Sequence, residues 1–317
     1  MEYRQLGRSG VMVSALGLGG NTFGRTCDVE TTAAIVHRAL DLGINHFDTA
    51  DSYGGTRSEV FLGAALRGRR HDAIIATKTG YPVGSGPNSD GLSRRRIIAS
   101  CEASLRRLGT DYVDVFYLHR PDPQTDIEES LGALDDLVRQ GKVRYAACSN
   151  YTGWEIARLC ERAAAHGWAV PILTQSRYSM LFRETAHEIA PAALAYDMGI
   201  VPYSPLAGGL LTGKYRSAEA VESGTRAWNN PNFAPLLSDD VLQVVSDLRA
   251  FAERYNRTIG DLAIAWLLNQ PGVCSVITGV TSPEQVDTNA RAIGWMLDEV
   301  ELAEIGGILA AAPTELG

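Results

Sequence analysis

The sequence predicts an α/β chain folded as one (β/α)8 TIM barrel over residues 1–317, with an N-terminal β-hairpin and extra C-terminal helices. Three observations lead there. Short β-rich apolar runs alternate with amphipathic stretches, the pattern of a parallel sheet with crossover helices. Eight such runs occur, and eight units in this length suit a closed barrel, whereas an open doubly wound sheet makes no demand for eight. No linker-like shift in composition divides the chain.

The elements follow in order. Residues 3–6 and 11–14 flank Gly7-Arg8-Ser9-Gly10 and read as a hairpin outside the barrel, closing its bottom. The strands fall at 15–19, 45–48, 74–78, 113–119, 143–149, 172–175, 200–203 and 275–278. Helical periodicity covers 29–42, 58–67, 93–108, 126–140, 153–166 and 186–198; then 239–255 and 259–269 precede the last strand, and 282–292 and 298–309 follow it. Asp28, Ser93, Asp126 and Thr258 suit N-caps, and Gly43, Gly109, Gly141, Gly167 and Gly199 suit helix ends. Two long loops, 81–92 and 216–238, follow strands, which places both on the C-terminal face of a barrel.

Composition excludes several classes. Lys and Arg number 29 against 37 Asp and Glu, a net charge of −8, so there is no basic footprint for nucleic acid. Arg94-Arg95-Arg96 and Arg69-Arg70 read as a solvated helix face and a loop. The five cysteines are odd in number and lack CxxC spacing, against a disulfide framework or a metal site and for a reducing compartment. No apolar run approaches the ~20 residues of a membrane span and no leader pattern opens the chain, so the expectation is a cytoplasmic protein with no membrane partner. The oligomeric state is left open.

The strands end on polar residues: Asp48, Lys78, His119, Ser149-Asn150, Gln175 and Tyr203. Strand side chains alternate faces, so Lys78 shares a face with Ala76 and Ile74, and His119 with Tyr117 and Val115. If those faces point inward, six strands deliver polar groups to one mouth, where barrel enzymes build their sites. A Lys in an apolar barrel must be paired or neutral, and Asp48 is the partner at hand. Tyr53 can fold back over the mouth, where Lys⁺ would lower its pKa and make it a proton donor.

Gly43-Ile44-Asn45-His46-Phe47-Asp48-Thr49-Ala50-Asp51-Ser52-Tyr53-Gly54 resembles the first signature of the aldo-keto reductases. So do the segments 113–121, 141–144 running into Cys148-Ser149-Asn150, and Tyr203-Ser204-Pro205-Leu206-Ala207-Gly208-Gly209-Leu210-Leu211-Thr212-Gly213-Lys214-Tyr215. The branch most resembled holds the potassium-channel β-subunit-like and bacterial general reductases. The resemblance implies reduction of an aldehyde or ketone, a small-molecule carbonyl substrate, with NADP(H) as cofactor ahead of NAD. It places a tetrad on Asp48, Tyr53, Lys78 and His119, with Tyr53 protonating the carbonyl oxygen as hydride arrives from nicotinamide, Lys78 and Asp48 tuning Tyr53, and His119 orienting the carbonyl.

The same resemblance implies the cofactor contacts. Gly20, Asn21 and Thr22 lie in the turn after the first strand; Thr22 stands at the third glycine of a near GxGxxG, so a Rossmann fingerprint is unsupported. Ser149, Asn150 and Gln175 would hold the carboxamide and Tyr203 would stack on the ring. Ser204, Leu206, Gly208 and Lys214 would follow the pyrophosphate. Gly279, Thr281, Gln285 and Asn289 would meet the adenosine 2′-phosphate end, with Ser282 and Gln285 forming a capping box around Pro283. Its charge would be met from Lys214, Arg216 or Arg226. Relatives often carry Glu at the place of Thr288 and Arg at the place of Asn45.

Substrate choice falls to the two long loops, with Phe23, Tyr81, Trp228 and Phe233 as wall candidates. Asp114 stays open between packing and function. Three alternatives are weighed. A short-chain dehydrogenase needs Tyr-x-x-x-Lys, which none of the 12 Tyr supplies. A barrel aldolase would use Lys78 as a Schiff base, but Asp48 should keep Lys78 charged. A cofactor-binding regulatory or redox-sensing subunit with slow turnover would carry the same tetrad; without an N-terminal interaction extension it ranks below a metabolic reductase.

Overall fold

The computed structural model describes residues 1–214 and 237–311. A short antiparallel hairpin, β1 (Tyr3–Gln5) and β2 (Met12–Ser14), comes first. Eight parallel strands follow: β3 (Leu16–Gly19), β4 (His46–Asp48), β5 (Ile74–Thr79), β6 (Val113–Leu118), β7 (Val143–Ser149), β8 (Leu173–Arg177), β9 (Gly199–Tyr203) and β10 (Val276–Gly279). They pair in the order β10-β3-β4-β5-β6-β7-β8-β9. The circle closes just before β10, where Ile200 N donates to Gly272 O (2.8 Å) and Cys274 N donates to Ile200 O (3.0 Å). This is the expected (β/α)8 barrel.

The helices are α1 (Val29–Asp41), α2 (Arg57–Ala65), α3 (Arg94–Leu108), α4 (Ile127–Arg139), α5 (Gly153–Ala165), α6 (Ala190–Ala195), α7 (Asp239–Arg254), α8 (Ile259–Leu268), α9 (Pro283–Ala290) and α10 (Glu299–Ala310). A π-helical stretch, Thr185–Ile189, leads into α6. Asp28, Ser93, Asp126 and Thr258 each accept a backbone N–H of the following first turn, as capping requires.

Two apolar layers result from the alternation of strand side chains. Outward residues such as Phe47, Ile75, Phe116 and Leu118 pack with Ile35, Leu62, Ile97 and Leu134 of the helices. Inward residues Val115, Tyr117, Leu173, Val201 and Ile277 form the barrel interior together with Leu6 and Val13 of the hairpin. The hairpin therefore plugs the end opposite the strand C-termini. Asn45 pins it there: its Oδ1 accepts Ser14 N at 2.7 Å and its Nδ2 donates to Met12 O at 3.1 Å.

Four expectations need correction. Gly199 is not a helix end: Asp197 takes the left-handed position (φ 53), and Gly199 opens β9, where an added Cβ would lie 2.8 Å from Leu173 and 2.9 Å from Cys274 Sγ. Ser282 makes no capping bond; Gln285 Oε1 instead accepts Thr281 N at 2.8 Å. Phe23 is a core residue, 1% exposed, and not a wall of the mouth. Arg96 does not belong to a solvated face, because α3 turns it inward onto Asp51 at 2.6 Å. The question of Asp114 is settled as structure: its Oδ2 accepts Arg70 Nη2 at 2.8 Å and Ile75 N at 2.9 Å. No helix of the described residues is long and apolar enough to cross a membrane.

Candidate active site

At the C-terminal mouth, β4, β5 and β6 bring Asp48, Lys78 and His119 together. Lys78 is fully buried and its Nζ donates to Asp48 Oδ1 (2.5 Å) and to Thr49 O (2.9 Å). The other oxygen of Asp48 accepts Gln175 Nε2 at 2.8 Å. Burial pulls the Lys78 ammonium towards the neutral amine, but Asp48 and Tyr53 outweigh it, and its pKa rises above the ordinary value. Lys78 is a permanent cation at neutral pH.

Tyr53 follows β4 in a tight turn whose next three residues, Gly54, Gly55 and Thr56, are all left-handed (φ 58, 64 and 78). A Cβ on Gly54 would lie 2.4 Å from Phe23 O, so the turn needs glycine there. It folds Tyr53 back over the mouth, with its ring 5.1 Å from Lys78 Nζ and edge-on to His119 at 5.8 Å. The expected lowering of its pKa is overturned. Burial raises it, and the nearby Lys78, with its hydrogen bond, offsets only part of that. Tyr53 is a protonated phenol at working pH.

His119, one residue past β6, donates its backbone N–H to Thr79 O at 2.8 Å, and its ring packs edge-on against Tyr81 at 4.6 Å. Burial, then Lys78 and Arg120, push its pKa down to about 2, so the imidazole is neutral. Its Nδ1 is buried with no partner among the described residues.

A second buried histidine, His46, lies below. Ser275 Oγ donates its one hydrogen to Ser14 O (2.9 Å), so it must accept from His46 Nδ1–H (2.9 Å), which leaves His46 Nε2 a bare acceptor without a partner among the described residues. Burial lowers its pKa to about 4, with Asp48 opposing and Lys78 adding. A depressed folded pKa means full stability above the unfolded value of ~6.5 and loss as pH falls towards 4, a contribution of roughly 3 kcal/mol. His46→Gln is expected to take up about one proton fewer on unfolding in that window, read from urea titrations across pH. Identical pH slopes for variant and wild type would contradict this.

The rim next to the tetrad is polar. Asn150 Nδ2 donates to His119 O (2.9 Å) and to Ser149 Oγ (3.1 Å), and Tyr203 Oη donates to Asn150 Oδ1 (2.8 Å). Beyond β9, Ser204 and Ala207 are left-handed (φ 56 and 47), followed by Gly208, Gly209 and Gly213, around buried Leu210 and half-buried Leu206. Of six non-glycine residues with positive φ in the described chain, four (Thr56, Asn150, Ser204 and Ala207) sit in loops at this mouth. On the other side, Thr22 Oγ1 donates to Val280 O at 2.8 Å, so the turn of Gly20, Asn21 and Thr22 lies against Gly279 and Thr281. Thr281 and Gln285 bond each other, Asn289 is buried and Lys214 is exposed. Arg226, with Arg216, Trp228 and Phe233, lies outside the described residues.

The donor set fits a dinucleotide. Ser149, Asn150 and Gln175 offer a hydroxyl and two amides, the chemistry that recognises a carboxamide. Glycine-rich left-handed backbone next to them suits phosphate oxygens. Asp51, Arg96 and Ser100, which contact each other behind Tyr53, escaped the sequence reading. The signal was there: Arg96 lies four residues before Ser100 on the buried stripe of α3 that also carries Ile97 and Cys101.

The aldo/keto reductase family model matches residues 15–310. The chain belongs to that family and is, at that level, an oxidoreductase. Its relatives include a probable voltage-gated potassium channel subunit beta of Arabidopsis thaliana, 38% identical over 99% of this chain and 98% of the relative. A putative subunit of the same kind from Schizosaccharomyces pombe is 36% identical over 100% and 95%. The L-glyceraldehyde 3-phosphate reductase of Escherichia coli K12 is 35% identical over 96% and 91%.

Proposed function

We propose that this chain, read as one barrel domain over residues 1–317, reduces an aldehyde or ketone to an alcohol with NADPH as cofactor. The observation that carries the reading is the convergence of a protonated phenol, a buried ammonium–carboxylate pair and a neutral imidazole at one mouth. Ser149, Asn150, Gln175 and Tyr203 would hold the nicotinamide, and the 204–214 and 279–289 segments the rest of the dinucleotide. Bound there, reduced nicotinamide supplies a hydride to the carbonyl carbon. The chain supplies everything else. Neutral His119 orients the carbonyl oxygen by a hydrogen bond. Tyr53 passes its phenolic proton to that oxygen, and the Lys78 cation stabilises the phenolate left behind. Asp48 keeps Lys78 charged and, through Gln175, is itself held in place. Tyr81 and Arg120, stacked 4.5 Å apart beside His119, form one wall for the substrate.

Purified protein assayed with NADPH and with NADH against a panel of small aldehydes tests the reading. NADPH-dependent turnover is expected with at least one of them, and no turnover with any would sink it. The channel-subunit names of the plant and yeast relatives favour a second reading, a cofactor-binding subunit with slow turnover. Tight NADPH binding with negligible turnover on every carbonyl would turn the assignment that way.

A further inference from the structure

We propose that the buried Asp51–Arg96 pair is a positioning device that holds Tyr53 and Tyr81 in register around His119; the idea rests on Tyr53 being the proton donor. Asp51 stands two residues before Tyr53 and is 1% exposed. Its N–H donates to Lys78 O at 3.1 Å. Its Oδ2 accepts Arg96 Nη2 at 2.6 Å and Ser100 Oγ at 2.7 Å, both from α3. The same Arg96 Nη2 donates to Tyr81 O at 3.3 Å. One guanidinium thus ties the loop after β4 to the loop after β5. The two loops carry the two rings that bracket His119, Tyr53 at 5.8 Å and Tyr81 at 4.6 Å.

The competing account is a buried ion pair that serves stability alone. Two features argue against it. Asp51 Oδ1 and Arg96 Nε are buried with no partner among the described residues, so the pair is a poor stabiliser as built. And the guanidinium that pairs with Asp51 also binds Tyr81 O, so the contact spans the two loops that carry the rings around His119. A misplacement of about 1 Å at a reacting group can cost ~10²-fold in rate. Arg96 and Ser100 of α3 fix Asp51, two residues before Tyr53, and so set where that ring stands.

A double-mutant cycle tests the proposal. Arg96→Met, Arg96→Lys and Asp51→Asn are each made in the wild type and in Tyr53→Phe. Five quantities are read: kcat and KM for an aldehyde, NADPH affinity by fluorescence, thermal midpoint, and protease cleavage within residues 81–92. In the wild type, Arg96→Met is expected to lower kcat by about 10- to 100-fold, with NADPH affinity within about twofold. Cleavage of 81–92 should rise, and Arg96→Lys should restore part of both. In Tyr53→Phe the same substitution should cost no more than about threefold, because there is no longer a proton donor to position. Should Arg96→Met fail to fold, Asp51→Asn and Ser100→Ala give the same non-additivity with smaller losses. Equal losses in both backgrounds, or unchanged kcat in folded variants, overturn the proposal while leaving Tyr53 in place. A wild-type rate for Tyr53→Phe alone would remove the proton donor, and this proposal with it.

Discussion

Tyr53→Phe is expected to cut turnover by about 100-fold or more while NADPH affinity stays within about twofold. Burial raises the pKa of the Tyr53 phenol, and Lys78 offsets only part of that rise. At neutral pH the group therefore holds a proton, and phenylalanine has none to give. The ring contacts survive the change, because the 5.1 Å approach of Lys78 Nζ and the edge-on packing with His119 belong to the ring and not to the hydroxyl. Loss of rate without loss of fold or cofactor binding is thus the signature, checked by steady-state kinetics, cofactor fluorescence and circular dichroism. A near wild-type rate would take Tyr53 out of the mechanism.

Asp48→Asn should have the largest combined effect on stability and rate. It removes the anion that bonds Lys78 at 2.5 Å and leaves a fully buried ammonium with only neutral partners, Thr49 O and the Tyr53 hydroxyl. Breaking one side of a buried pair typically costs about 3–5 kcal/mol. The sign with pH follows from the raised pKa of Lys78. In the wild type the pair contributes fully below the unfolded value of ~10.4 and is lost only as pH rises through the still higher folded value. In Asp48→Asn burial is no longer opposed by the carboxylate, so Lys78 sheds its proton more readily and the deficit should shrink as pH is raised from 7 to about 10. Urea unfolding at the two pH values measures this, and turnover should fall by about 100-fold or more. Wild-type Lys78, held as an ammonium, should give no borohydride-stable adduct with a carbonyl substrate. An adduct trapped there would favour a Schiff-base mechanism instead.

The parts of this site that were legible in the sequence rest on local rules. Period-two alternation places Lys78 with Ala76 and His119 with Tyr117, and the structure puts both series inside the barrel. Asp28, Ser93, Asp126 and Thr258 were readable as caps because a short polar side chain directly precedes each helical pattern. What stayed hidden depends on burial and on distant partners. The charge next to Tyr53 could be inferred, but not the burial that outweighs it. Arg96 looked solvated among three arginines, although its spacing to Ser100 and Ile97 marks the apolar stripe. Gly199 looked like a helix end because nothing local announces that Gly7, Leu173 and Cys274 crowd it. The link of Ile200 to Gly272 and Cys274 that closes the barrel has no signature in either segment.

On the proposed function, this mouth delivers a hydride and a proton to a carbonyl. The most direct test is a single-turnover experiment with the protein in excess over NADPH labelled with deuterium at the transferable position of the reduced ring, mixed with an aldehyde that the wild type reduces. One alcohol per NADPH consumed is expected, with the label on the former carbonyl carbon and the rate falling by about 100-fold or more in Tyr53→Phe. Bound NADPH that stays reduced in the wild type, or an alcohol whose carbon carries no label, would contradict it.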